Sequence, residues 1–143
     1  MARCSTLGGT FRYTSDTIFD SFPWPQLPKL GEVKTVAEAA VILRGLRREI
    51  MTANGWSLRD LYRSLEIPGS NRLREAQNAL DDAVRTAYGM KATEDVLAFL
   101  LGLNLELAEN EARGGKIVPP GLPAAIAKKD TFITTDCTFQ AET

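Results

Sequence analysis

Three charged residues beside a proline-rich stretch have the order found in metal-dependent nuclease sites. Asp20 is followed by Glu32, Val33 and Lys34, which reproduces a D…ExK pattern. In such sites the carboxylates hold a cation and the lysine polarises a water molecule. Here the prolines separate Asp20 from Glu32, and short motifs of this kind often match by chance. We therefore favour solvated linker charges over a metal site.

The other common catalytic motifs are missing. The sequence contains no histidine, which argues against a mechanism that uses imidazole as general base. Cys4 and Cys137 lie near opposite ends without CxxC spacing, which argues against structural zinc. No GxxxxGK[ST], GxGxxG or GxSxG pattern occurs. We predict no catalytic, cofactor-binding or metal-binding residue in this chain.

Size and composition favour a soluble globular protein. The 143 residues correspond to one ordinary domain, with 44% hydrophobic and 24% charged residues. The chain has no run of eighteen apolar residues and its start lacks the apolar core of a signal peptide. We expect no membrane association and a cytoplasmic location.

The net charge of -1 conceals an uneven distribution. Residues 44–74 carry seven basic and three acidic side chains, whereas residues 75–111 carry two basic and eight acidic ones. The favoured interpretation is that the two parts pack together with complementary rims. The alternative is that the basic part faces a phosphate backbone, which requires clustered arginines but not a basic protein overall.

The clearest structural pattern is an amphipathic helix over residues 73–90. Its apolar residues recur at steps of three and four and its polar residues occupy the other face, which is typical of a core helix. Asn71 is predicted to cap its start and Gly89 its end. The apolar face consists of Leu73, Ala76, Leu80, Ala83, Val84, Ala87 and Tyr88.

Three further helices are predicted around this one. Thr35 to Glu38 resembles a capping box and predicts a helix over residues 35–53, ended by Asn54 and Gly55. A second box, Ser57 to Asp60, predicts a short helix whose apolar residues share one face. Thr93 is predicted to cap a fourth helix over residues 94–113. The buried stripe expected in the first helix is Val36, Ala39, Ala40, Leu43, Leu46 and Ile50.

The fourth helix is apolar around most of its circumference. Leucines and other apolar side chains fill most of its positions from residue 96 to residue 107. Such a helix is expected between neighbouring elements or under another chain.

The ends of the chain are predicted to be less regular. Residues 10–22 contain aromatic and β-branched residues that indicate one or two short strands. The prolines of FPWPQLP then predict an extended connector in which Trp24 anchors on the helices. The tail is turn-rich, with a possible strand at residues 132–135.

The predicted fold is mainly α. A four-helix bundle-like domain (residues 35–113) is preceded by a short β segment with a proline-rich connector (1–34) and followed by an irregular tail (114–143).

Four segments in this order resemble one protein family. FRYTSDTIFDSFPWP, LRDLY, LREAQNALDDAVRTAYGM and LAFLLGLNLELA are similar to the C-terminal end of the single-chain DNA methyltransferases of type II restriction-modification systems, the MmeI-like group. The matching positions are 22–25, 58–62, 76–89 and 100–106, and Gln77 stands where the family usually has histidine. The matched aromatic residues expected to act as structural anchors are Phe22, Trp24, Tyr62 and Tyr88.

The resemblance implies a C-terminal fragment of such an enzyme. In that family a β segment ending in FPWP closes the target-recognition domain, and a helical domain follows it. The motifs that hold the flipped adenine and S-adenosylmethionine are missing here, so the resemblance implies no catalysis by this chain alone. It also implies DNA as a partner in the full enzyme. Three alternatives stay open for this chain: a truncation, a split piece or a separate subunit, with a companion methyltransferase chain as a second candidate partner.

Within that hypothesis the helical part supports target recognition and touches DNA phosphates. The arginines proposed for these contacts are Arg12, Arg44, Arg47, Arg48 and Arg59. Contacts of this type add affinity and salt dependence without reading sequence. The alternative function is a free-standing helical protein–protein interaction module whose leucine-rich helix pairs with a partner.

Overall fold

The structure is a computed structural model that describes residues 5–7, 10–12, 22–119, 121–122 and 126–132, with only the backbone described up to residue 12. Four α-helices lie in this described part: α1 (Leu30–Asn54), α2 (Leu58–Arg63), α3 (Arg72–Ala87) and α4 (Val96–Ala112). Short 3-10 turns follow at Ser64–Glu66 and Lys129–Phe132. The prediction of a mainly helical fold is confirmed.

Two short strands lie near the start of the chain. β1 (Ser5–Leu7) pairs antiparallel with β2 (Thr10–Arg12), with Thr6 opposite Phe11. Most of the segment for which strands were predicted, residues 13–21, lies outside the described residues.

Helix α1 begins five residues earlier than the sequence predicted. Its N-cap is Lys29, whose backbone N–H donates to the Glu32 carboxylate at 2.7 Å. Thr35 lies inside the helix, where its hydroxyl donates to the Gly31 carbonyl at 3.0 Å. The predicted capping box at Thr35 is therefore wrong, because an acidic side chain in the first turn after Pro28 provides an earlier start.

The predicted ends of α1 and α3 are confirmed. Gly55 has a φ of 63° and its N–H donates to Met51, while Gly89 has a φ of 69°. After α3, the N–H groups of Gly89 and Met90 donate to Thr86 and Arg85, which completes a Schellman motif. Both positions require the left-handed conformation that glycine adopts without a steric penalty.

The starts of α2 and α3 also agree with the sequence, whereas that of α4 does not. Ser57 and Asp60 exchange the two hydrogen bonds of a capping box, and the Asn71 side chain accepts from Leu73 and Arg74. Helix α4 is capped by Asp95, which accepts from the Ala98 N–H at 2.8 Å. Thr93 is not the cap, since aspartate nearer to the apolar run satisfies the same donors.

A leucine cluster forms the core of the first three helices. Leu43 and Leu46 from α1, Leu61 from α2 and Leu73 from α3 are all buried, and Leu61 and Leu73 are almost inaccessible. The apolar face predicted for α3 is at least half-buried throughout. Ala40, predicted to be buried in α1, is instead exposed because it lies at the margin of the face that carries Leu43.

The chain divides into two compact units. One comprises residues 28–92, with α1, α2, α3 and the leucine cluster. The other comprises residues 1–27 and 93–143, with α4. The bundle-like arrangement of all four helices remains a prediction.

The described part of the tail includes a buried side chain. Ile126 is buried, and Phe132 belongs to a 3-10 turn and not to the strand predicted from residue 132 onward. Residues 133–135 lie outside the described residues. No helix in the part of the chain that the structure describes is both long and apolar enough for a membrane crossing.

Substitution of the central core leucine tests the packing of the first unit. We expect Leu61→Ala to lower the free energy of unfolding by about 2–5 kcal/mol, because it leaves a cavity where three helices meet. Ile67→Ala, at a residue with 66% exposure in the same unit, should change it by no more than about 0.5 kcal/mol. Urea denaturation of both variants followed by circular dichroism measures the difference, and equal effects would contradict this core.

Candidate nucleic-acid interface

The arginines predicted to contact phosphate lie on three elements. Arg44, Arg47 and Arg48 occupy consecutive turns of α1, and Arg59 lies in the first turn of α2. Arg44, Arg48 and Arg59 are exposed, whereas Arg47 is half-buried. Arg12 belongs to β2, and its side chain is outside the described residues. The helical unit therefore presents positive charge from α1 and α2.

Arg47 makes contacts with both neighbouring helices. Its guanidinium carbon lies 5.4 Å from the centroid of the Tyr62 ring in α2, a cation–π arrangement. Its Nη2 donates to Oε1 of Gln77 in α3 at 3.4 Å. The Nε atom is buried, and no hydrogen-bond partner for it lies among the described residues. Through these contacts Arg47 joins α1 to α2 and α3, which is a structural role and not that of an exposed surface charge.

Gln77 connects this contact to the acidic side of α3. Its amide nitrogen donates to Oδ1 of Asp81 at 3.3 Å while its oxygen accepts from Arg47. An amide suits this position because it offers an acceptor and a donor at the same time.

Arg74 has a structural role that sequence reasoning missed. From α3 it donates to the backbone carbonyls of Gly69 at 2.9 Å and Ile67 at 3.2 Å, and it also contacts the Leu65 carbonyl. These carbonyls belong to the segment between α2 and α3. One guanidinium with several donors thus fixes a turn that has few backbone bonds of its own. The sequence carries no signal for this, since carbonyl acceptors are present at every residue.

The acidic residues near the arginines have structural partners. Glu49 accepts from Arg72 across α1 and α3 at 3.2 Å, on an exposed surface. Asp60 accepts from both the backbone and the hydroxyl of Ser57, and these hydrogen bonds lower the pKa of its carboxyl. Arg63, one turn later, lowers it further. Both carboxylates are thus engaged locally.

The predicted aromatic anchors differ in their surroundings. Phe22 and Trp24 contact each other edge to face with ring centroids 5.3 Å apart. Tyr88 is half-buried at the end of α3, and burial raises the pKa of its phenol. Tyr62 keeps 38% exposure. Anchoring of Trp24 on the helices stays a prediction.

The D…ExK residues have the following positions. Glu32 accepts the capping hydrogen bond at the start of α1, and Lys34 is exposed in the same helix. Asp20 lies outside the described residues. Among the residues that are described, no group of three or more potential metal ligands occurs.

Comparison with protein-family models, with curated proteins and with solved structures finds no match to this chain.

Two neighbouring arginines of α3 offer a matched test of these roles. We expect Arg74→Ala to lower the free energy of unfolding by about 1–2 kcal/mol, since it removes the charged donor shared by three carbonyls of the turn, of which only that of Leu65 is half-buried. Arg72→Ala removes only an exposed ion pair and should cost less than about 1 kcal/mol. Urea titrations of both variants measure this, and a smaller loss for Arg74→Ala would contradict the role assigned to it.

The capping box of α2 predicts a pH dependence. The pKa of Asp60 is lowered in the folded chain, so its contribution is present above the ordinary value of 3.8 and is lost as pH falls through the lower folded value. We expect Asp60→Asn to lower the thermal midpoint at neutral pH. The difference from the parent protein should shrink as the pH falls below 3.8. Ser57→Ala should weaken the same dependence. A constant difference at all pH values would contradict this assignment.

Proposed function

We propose that this chain is the C-terminal fragment of a site-specific DNA adenine-N6 methyltransferase of a restriction-modification system, similar to the MmeI-like group. It supports recognition of the DNA target and does not transfer methyl groups alone. S-adenosylmethionine and the catalytic residues belong to another part of the enzyme, either a companion chain or the missing remainder of the same enzyme.

The observation that carries the proposal is the order of the four motifs together with their placement in helices. LRDLY occupies α2, the third motif occupies α3 with its Gly89 cap, and residues 100–106 lie within α4. The helical form of these segments agrees with the helical C-terminal domain that the resemblance implies. The resemblance thus concerns three structural elements in sequence order.

The exposed arginines of α1 and α2 support the proposal that this chain helps to bind DNA. Arg44 and Arg48 are one turn apart on α1, and Arg59 is exposed on α2, which packs on α1. Exposed arginines can pair with the phosphates of DNA, and the affinity that they add decreases as the salt concentration rises. Arg47 is a poorer candidate for such a contact, because it binds Tyr62 and Gln77.

A second function is favoured by α4. Leu97, Leu101 and Leu105 recur at every fourth position and are 78%, 62% and 45% exposed. Such an apolar stripe is typical of a helix that associates with another protein surface. On this alternative the chain is a helical protein–protein interaction module.

The decisive experiment is a fluorescence-anisotropy titration of duplex DNA at several salt concentrations. We expect binding by the full chain with a steep salt dependence, because each neutralised phosphate contributes about 0.9 to the slope of log affinity against log salt. The triple variant Arg44→Gln, Arg48→Gln, Arg59→Gln should lose affinity and reduce the slope by up to about three such contributions. Arg113→Gln, an exposed arginine after α4, is the matched control.

The outcomes separate the two functions. Salt-dependent binding that the triple variant loses and the Arg113 variant retains supports the methyltransferase fragment. No DNA binding, together with sedimentation behaviour that shows self-association relieved by Leu101→Asp, supports the interaction module. Titration in the presence of a methyltransferase chain encoded nearby then tests whether target recognition needs both chains.

A further inference from the structure

The exposed part of α2 combines an aromatic ring with arginines. Tyr62 is 38% exposed although the adjacent Leu61 is fully buried in the leucine cluster. Arg59 precedes Tyr62 by three residues and Arg63 follows it directly, and both are exposed. On a helix of 3.6 residues per turn, this spacing places Tyr62 between the buried face and the two arginines.

The ring of Tyr62 is held in place from one side. The guanidinium of Arg47 lies 5.4 Å from its centroid and is itself bound to Gln77 of α3. Tyr62 therefore has a partner that fixes its orientation and still exposes more than a third of its surface. A side chain oriented before binding loses less conformational entropy when a ligand packs on it.

Trp56 adds a second exposed aromatic residue near α2. It follows the left-handed Gly55, its N–H donates to Met51, and it is 37% exposed. Two carboxylates lie in the same part of the unit, Asp60 as the cap of α2 and Glu49 paired with Arg72, and arginines outnumber them there. Five arginines (Arg44, Arg47, Arg48, Arg59 and Arg63) lie on α1 and α2 in this region.

We propose that this aromatic–arginine surface binds unpaired DNA, with a base stacked on Tyr62 and with Arg59 and Arg63 on the adjacent phosphates. In duplex DNA the base faces are stacked on one another, so an exposed ring gains contact only where bases are unpaired. Arginines beside an aromatic ring then match the alternation of base and phosphate along a single strand. The inference goes beyond the proposed function, which concerns duplex phosphates only.

The test uses the full chain and a fluorescent thymidine oligonucleotide of about 16 nucleotides, which has no stable duplex form. We expect Tyr62→Leu to weaken binding of this oligonucleotide about tenfold, the effect of losing one stacking contact. Tyr62→Phe keeps the ring and should keep the affinity. Each of Arg59→Gln and Arg63→Gln should reduce the salt slope by about 0.7, and Arg113→Gln should not change it.

Thermal midpoints of all variants show whether lost binding reflects lost folding, and the Tyr62→Phe variant separates stacking from packing. Equal affinities of the parent and Tyr62→Leu for the oligonucleotide would overturn the inference, as would no binding of it by the parent. If the parent binds duplex DNA but not the oligonucleotide, this inference fails and the proposed function stands. If the parent binds neither duplex DNA nor the oligonucleotide, both the proposed function and this inference are wrong.

Discussion

The burial of Leu61 is the contact on which the helical unit depends. Helix α2 has six residues, which is far too short to be stable in isolation. It persists because Leu61 is fully enclosed with Leu43, Leu46 and Leu73 from the two long helices. Burial of one leucine side chain stabilises by about 2 kcal/mol relative to exposure, and here that gain also orders the connections on both sides of α2. The position of Tyr62 and its neighbouring arginines follows from this single contact.

Hydrogen bonds from side chains to backbone groups stabilise the segment around α2 in addition to the apolar packing. Ser57 and Asp60 satisfy the first donors of α2, Asn71 those of α3, and Arg74 the carbonyls between them. Each bond is local or spans a short loop, so the whole segment 57–74 is fixed by few long-range contacts.

The arginines of the basic segment divide into two physical classes. Arg47 and Arg74 contact other groups of the protein. Arg47 lies over the Tyr62 ring and donates to Gln77, and Arg74 donates to loop carbonyls. Arg44, Arg48, Arg59 and Arg63 are exposed, and Arg72 takes part in an exposed ion pair. The excess positive charge of residues 44–74 therefore serves internal packing as well as the surface. Only the exposed class bears on the proposed binding of DNA, and both the packing of the basic part against the acidic part and its contact with phosphates stay predictions.

The helical class, the caps at Gly55, Ser57, Asn71 and Gly89, and the core face of α3 could be predicted from the sequence. These features depend on local spacing, because a helix period and its caps are properties of neighbouring residues. The start of α1 was missed because Lys29 and Glu32 gave a weaker signal than Thr35 to Glu38, although the acidic side chain could reach the N-cap. The roles of Arg47, Arg74 and Gln77 were decided only by tertiary structure. Their partners lie on other helices or are backbone carbonyls, and no pattern along the chain records which of several arginines will meet them.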